Sequence, residues 1–295
     1  MFKRILFATD FSPHAEMAKK VAADLAKGNS GKHLWVLTVL EPIEEPLWAT
    51  DEPAGVSEEE WEALQEKEKR ELEAEKRARL QQDIADLRNV GVAVTAMVRE
   101  GDPAEEIVAA AQEVDADVIV MGSHSNRSLW DVVLGSVTEH VIKHAPCPVI
   151  AVSHTPEQAA NGKEGPILLV TDFSPASEKA IHVAASLAKE QKTKLIVLSV
   201  VGRGLGMRAA QPALANLVEE LRGQGLEVEG LIRKGRRGQI YPPIVQTAEE
   251  RHAKMIVMGS HSRLTIYDVI LGYVAENVSK HAPCPVLIVS DRSAE

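Results

Sequence analysis

The chain contains one set of motifs twice, in the same order. Leu-Phe-Ala-Thr-Asp10-Phe-Ser-Pro returns as Leu-Val-Thr-Asp172-Phe-Ser-Pro, an offset of 162 residues. Val-Met-Gly122-Ser-His-Ser returns as Val-Met-Gly259-Ser-His-Ser, and His144-Ala-Pro-Cys-Pro-Val as His281-Ala-Pro-Cys-Pro-Val, both at an offset of 137. A chain that repeats its motifs in this way is built from two copies of one unit, each with its own core. The 295 residues suit two units of ordinary domain size. The two offsets differ, so the first copy carries 25 residues that the second lacks.

Each copy holds five apolar, β-branched runs without clean alternation, the pattern of strands covered on both faces of a parallel sheet. In the first copy they lie near Ile5 to Ala8, Leu34 to Leu40, Val92 to Val98, Val118 to Met121 and Val149 to Val152. In the second they lie near Ile167 to Val170, Leu195 to Val201, Val228 to Ile232, Ile256 to Met258 and Val286 to Val289. Helical stretches separate them. Ser12-Pro13 and Ser174-Pro175 each set a capping hydroxyl before a proline suited to a first helical turn. Strand alternating with helix implies right-handed crossovers and a doubly wound α/β sheet. The expected organisation is a first domain over residues 1–154, a polar linker over 155–164 containing Asn161-Gly162, and a second domain over 165–295. The last strand of each copy, at Val149 to Val152 and Val286 to Val289, is expected to meet its counterpart near a pseudo-twofold axis, an intramolecular pseudo-dimer.

The extra residues of the first copy fall at about 43–89. Ser57-Glu-Glu-Glu60 reads as a capping box, and a run rich in Ala, Glu, Lys, Arg and Leu continues to about Asn89. Between Gln65 and Arg79 the only sizeable apolar residue is Leu72, so the helix is expected to be mostly solvated, helped by pairs such as Glu66 with Arg70 and Glu73 with Arg77. A solvated decoration and a partner-binding arm both remain open for it. In the second copy this stretch shrinks to Gly202-Arg-Gly-Leu-Gly206 and a short helix after Pro212.

Several function classes are disfavoured. A formal charge of −10 and only 4% aromatic residues suit neither a phosphate backbone nor a base-stacking surface, so nucleic acid is not an expected partner. No apolar run approaches the ~20 residues of a membrane span, so no membrane insertion is expected. The two cysteines, Cys147 and Cys284, sit once per copy in Ala-Pro-Cys-Pro without ligand spacing and read as small buried hydrophobes in a reducing cytoplasm. His140 and His144 have an i,i+4 spacing, but no third metal ligand accompanies them.

In an open parallel sheet, ligands sit beyond the carboxyl ends of the strands where the strand order reverses. Asp10 and Asp172 end the first strand of each copy and Gly122 and Gly259 the fourth. An acidic residue that can accept from a ribose hydroxyl or base amine then faces a glycine that permits close backbone approach. Gly122-Ser-His-Ser125, nine residues, and then Gly135-Ser136-Val-Thr138 place helix-start amides and hydroxyls where a phosphate would bind.

With these motifs, the Glu100-Gly-Asp-Pro-Ala104 loop and the Ala-Pro-Cys-Pro-Val end of each copy, the chain resembles the universal stress protein family over nearly all of both halves. The resemblance implies two tandem Rossmann-like domains, each a five-stranded parallel sheet with helices on both faces, that pair through their last strands. It also implies an adenine nucleotide, ATP or AMP, with or without Mg²⁺. Thr9, Asp10 and Val39 would surround the adenine end, and Gly122, His124, Ser125, Gly135, Ser136, Val137 and Thr138 the ribose and phosphates. In the second copy the corresponding, weaker candidates are Thr171, Asp172, Val200, Gly259, Ser262 and Gly272. The family's second glycine is Ser125 in one copy and Ser262 in the other, and Tyr273 follows Gly272 where Ser136 follows Gly135. A tyrosine there would bring its ring near the phosphate position, which makes the first copy the better candidate. Lys234-Gly-Arg-Arg237 replaces the acidic loop in the second copy.

No G-x-x-x-x-G-K-[ST] loop and no H-x-G-H or S-G-G-x-D motif is present, so at most slow ATP hydrolysis is expected and no catalytic residue is assigned. The reading is a nucleotide-binding regulator of a cytoplasmic stress response, with an unnamed protein partner and room for a homodimer. The alternative is a nucleotide-independent interaction module of the same fold, which implies no cofactor.

Overall fold

The computed structural model describes residues 1–27, 31–41, 58–123, 134–153, 165–201, 205–235, 239–260 and 271–290. Its first half runs β1 (Arg4–Ala8), α1 (Pro13–Ala26), β2 (His33–Leu40), α2 (Glu58–Asn89), β3 (Val94–Glu100), α3 (Pro103–Glu113), β4 (Val118–Gly122), α4 (Ser136–His144) and β5 (Val149–Val152). The second half runs β6 (Ile167–Val170), α5 (Pro175–Glu190), β7 (Leu195–Val201), α6 (Leu205–Gly223), β8 (Val228–Lys234), α7 (Tyr241–Glu250), β9 (Met255–Gly259), α8 (Tyr273–His281) and β10 (Val286–Val289). All ten strands expected from the apolar runs are present, with ends shifted by a few residues.

Within each half the strands are parallel, in the order β3-β2-β1-β4-β5 and β8-β7-β6-β9-β10. The halves are joined by β5 and β10, which pair antiparallel about Ile150 and Leu287, so one ten-stranded sheet crosses the molecule. Alternate strand residues feed two apolar layers. One gathers Ile5, Phe7, Leu34, Val36 and Leu287 under α1, α2, α5 and α6. The other gathers Leu6, Leu37, Ile119, Val149 and Ile288 under α3, α4, α7 and α8. Each fully buried Leu, Ile or Phe contributes roughly 1.5–3 kcal/mol relative to exposure, and this two-sided burial explains why the strands read as continuous apolar runs. Both cysteines lie in the second layer, and burial pushes each thiol up to about 12, which keeps them protonated and inert.

Two local expectations change. Ser12 caps α1 by accepting from the Ala15 amide at 3.2 Å, whereas the Ser174 side chain makes no such bond at α5. The Ser177 hydroxyl instead donates to the Ser174 carbonyl at 2.8 Å. In the second half, α6 does not begin after Pro212 but runs through it. Pro212 is exposed, as is Arg208 one turn earlier, so water can take the carbonyl that the missing proline N–H leaves unbonded. No helix among the described residues is long and apolar enough to cross a membrane.

Candidate nucleotide-binding crevice

The chain leaves β1 and β4 side by side, with Ala8 opposite Met121, and the helices that follow them pack on opposite faces. The sheet order reverses here, the place beyond the strands' carboxyl ends where open parallel sheets take their ligands.

On the β1 side the turn is built by side chains. Thr9 Oγ1 accepts from the Phe11 amide and Asp10 Oδ1 from the Ser12 amide, both at 3.0 Å. These bonds hold Phe11 at φ +61°, a left-handed conformation strained for an aromatic residue, and Phe173 repeats it at +59°. Strain of this order persists only where surrounding bonds enforce it, and here it swings the chain from strand into α1. In the second half Asp172 Oδ1 takes the Ser174 amide at 2.9 Å and also faces the Ser177 hydroxyl at 3.3 Å, while Thr171 Oγ1 lies 3.1 Å from that hydroxyl. Ala15 occupies the equivalent first-half position, so the hydroxyl bond that Thr171 makes to Ser177 has no counterpart at Thr9.

On the β4 side, a Cβ on Gly122 would lie 3.0 Å from the Ala15 nitrogen and from His14 Cβ. That glycine therefore admits the start of α1 against the end of β4. The chain is fastened where it returns: the Gly135 amide donates to the Ser123 carbonyl at 2.9 Å, and the buried Thr138 hydroxyl donates to the Gly122 carbonyl at 2.9 Å. Gly135 caps α4 in extended conformation, φ −61° and ψ 141°, without a side-chain hydrogen bond to the helix amides. Exposed Ser136 and half-buried Val137 open that helix at the crevice. Thr9, Asp10, Gly122, Gly135, Ser136, Val137 and Thr138 thus gather at one end of the sheet, while His124 and Ser125 lie outside the described residues.

Gly272 repeats the backbone of Gly135, and its amide donates to the Ser260 carbonyl at 2.9 Å. Ala275 stands where Thr138 stands, and Ser262 lies outside the described residues. The Tyr273 ring is turned onto Tyr241, edge-on with centroids 6.2 Å apart, and Tyr241 stacks on His281 at 5.2 Å. The Tyr273 ring thus has an aromatic neighbour at the start of α7.

Val39 sits near the end of β2, its side chain in the α3/α4 layer. Sequence reasoning missed what covers it. The C-terminal part of α2 docks through Leu80, Ile84 and Leu87 and through a 2.7 Å ion pair between Asp83 and Lys19. From there Lys76 Nζ donates to the Val39 carbonyl at 3.3 Å, and the Arg79 guanidinium lies 5.4 Å above the Phe11 ring. The i,i+4,i+7 spacing of Leu80, Ile84 and Leu87 was the available signal for this docking.

Other candidates do not converge here. His140 and His144 stack at 4.1 Å, the His144 Nδ1–H donates to the His140 carbonyl at 2.9 Å, and no group of three metal-ligating side chains occurs among the described residues. Lys234 ends β8, while Arg236 and Arg237 lie outside the described residues.

The family model described as the universal stress protein family matches residues 1–153 and 165–290. A universal stress protein of Mycolicibacterium smegmatis is 29% identical over 212 residues, 68% of this chain and 70% of that one. Universal stress protein MJ0577 of Methanocaldococcus jannaschii is 33% identical over 154 residues, 52% of this chain and 95% of its own. The crystal structure of a universal stress protein from Archaeoglobus fulgidus superposes with a TM-score of 0.72 over 97% of both chains at 23% identity, a likeness of fold.

Proposed function

The chain belongs to the universal stress protein family, and from that premise we propose that it binds an adenine nucleotide, ATP or AMP, in the crevice of its first half and acts as a regulator in a cytoplasmic stress response. The observation that carries this reading is the convergence, across the β1/β4 gap, of Asp10 with the start of α4, where the cap residue Gly135 brings no side chain to the helix amides. Helix-start amides favour a phosphate, and a carboxylate oxygen accepts from ribose or base. In this reading Thr9 and Val39 serve the base, and Gly122 and Gly135 to Thr138 the phosphates, with His124 and Ser125 proposed from the motif alone and Mg²⁺ able to accompany ATP. The second crevice is proposed as the weaker one, because Ala275 lacks the hydroxyl by which Thr138 fastens the start of α4 to the Gly122 carbonyl.

Calorimetric titration of ATP and AMP tests this. Gly135→Val crowds the α4 amides and is expected to weaken binding roughly tenfold or more, and Gly272→Val less than about twofold. Equal losses overturn the first-half assignment. Turnover is expected far below the ~10 s⁻¹ typical of enzymes, because the sequence carries no G-x-x-x-x-G-K-[ST] loop and so no Walker-type lysine to hold the developing phosphate charge. Faster hydrolysis in ATPase-free preparations overturns the regulator reading.

A nucleotide-independent interaction module is favoured by a different observation, the exposed early part of α2 with Leu64 and Leu72 nearly half accessible. A protein partner or a second copy could be held there. Mass spectrometry of ligand released from the purified protein separates the two: bound ATP or AMP supports the regulator, and a persistently empty protein the module.

A further inference from the structure

We propose that the insertion helix α2 is a built-in latch on the base end of the first crevice, with Lys76 as its catch. The inference rests on the nucleotide reading above and adds a regulator of that site. Strand geometry supplies the first step. In β2 the Leu37 carbonyl accepts from the Thr9 amide on the β1 side at 2.9 Å, and the Leu40 carbonyl accepts from the Gly101 amide on the β3 side at 3.1 Å. Carbonyls alternate along a strand, so the Val39 carbonyl points to the β1 side, one step beyond the last β1 bond.

The donor that would continue the ladder is the Phe11 amide, but the left-handed turn diverts it to Thr9 Oγ1. Among the described residues no backbone N–H reaches Val39 O, and the carbonyl is left facing the crevice. It is the acceptor that an exocyclic amine on a bound base would use. Lys76 Nζ already holds it at 3.3 Å, and Arg79 covers the adjoining Phe11 ring. An ammonium beside the same oxygen disfavours a second donor, both by occupying space and by opposing the amine's partial positive hydrogens. An adenine amino group therefore competes with Lys76 for this oxygen.

The surrounding helix suits such a device. Residues from Leu80 onward are anchored in the core, whereas the part before Lys76 is solvated, with Leu72 49% exposed. Lys76 and Arg79 thus stand where the docked and free parts of one helix meet, and whatever grips the free part can draw the catch from Val39. Because a ligand shifts a two-state equilibrium only by its differential affinity, a competing internal bond lowers apparent affinity by the fraction of molecules that are latched.

The test uses the full chain with Lys76→Met and Lys76→Arg, titrated calorimetrically with ATP and with purine riboside 5′-triphosphate, which lacks the 6-amino group. Lys76→Met is expected to tighten ATP roughly three- to tenfold, the effect of losing one competing hydrogen bond of ordinary net strength, as suits a contact of 3.3 Å. Lys76→Arg, which keeps a donor, should stay near the parent protein, and the ligand without the amino group should show no gain. Unchanged or weaker ATP binding by Lys76→Met, with the parent protein still binding, overturns the latch alone. An equal gain for both nucleotides overturns the competition for Val39. If neither protein binds ATP, the nucleotide reading falls and the latch with it.

Discussion

At the start of β1, two backbone amides and a guanidinium meet one carboxylate. Asp117 Oδ2 accepts from the Lys3 and Arg4 amides at 2.8 Å each, and Oδ1 from the Arg4 guanidinium at 3.0 Å. Burial alone would raise its pKa, but the bonds from Arg4 and Lys3 outweigh burial and hold the carboxyl below its ordinary range. A carboxyl whose folded pKa lies below its unfolded one adds stability above the unfolded value, near 4, and loses it as pH falls through the folded value. Asp117→Asn is therefore expected to destabilise the protein by about 1 kcal/mol at pH 7. Urea titrations at descending pH should show the difference shrinking below about pH 4, and a gap that stays constant as the acid range is descended would mean that the charge is not its source. Residues of this kind were not legible in the sequence, because Asp117 and its partners are 113 and 114 positions apart. The strained Phe11 was hidden for another reason: an Asp before Ser-Pro marks a turn, but phenylalanine carries no local mark of the left-handed conformation that this turn imposes. The gathering of Thr9, Asp10, Gly122 and Gly135 was legible, because a doubly wound sheet brings the ends of its first and fourth strands together.

Helix α2 shows how far a pattern of apolar residues reads at the scale of one element. Its solvated character was legible from the sparse apolar residues, and Glu66 and Arg70 pair at 3.0 Å, although Glu73 with Arg77 is not among the ion pairs of the described residues. What the composition masked is that one helix has two regimes, free before Lys76 and docked after it. Truncating the docked part should leave a cavity: Ile84→Ala is expected to cost about 2–5 kcal/mol, and Leu72→Ala, at an exposed position, within about 0.5 kcal/mol. Thermal melts of the two variants decide it, and comparable losses would mean that the early part of α2 is packed in solution. Asp83 tempers the docking. Burial raises its pKa more than Lys19 lowers it, and its Oδ2 has no hydrogen-bond partner. A raised carboxyl pKa works against stability once the group ionises, whereas burial of Lys19 is outweighed by its bonds to Asp83 and Glu16, which raise its pKa too, so the two partners oppose each other and the pair chiefly fixes where α2 sits.

At the scale of the molecule, the doubled sequence becomes one sheet because each half ends in a strand it cannot leave uncovered. All four residues of β5 and all four of β10 are buried, and Ile150 and Leu287, opposite one another, have no exposed surface. An edge strand so apolar and short of charge would template aggregation if left open. Antiparallel pairing of β5 with β10 closes both edges and carries each apolar layer across the join. Repeats announce such pairing in sequence, since two copies of one edge are self-complementary about a twofold axis, but which residues face each other required the register. Covalent continuity should accordingly be dispensable. We propose the boundary at residues 155–164, and a protease site inserted there allows the intact folded chain to be nicked. The nicked protein is expected to sediment as one 32.1 kDa particle, and its halves to separate only under denaturing conditions. In the same background Ile150→Glu buries an unpaired charge at the centre of the join, which in a low-dielectric setting costs several kcal/mol, and it should release the halves or drive them into aggregates. If the nicked parent falls apart into two stable monomers, the join is not an obligate interface, and the tandem arrangement serves only to keep two independent domains near each other.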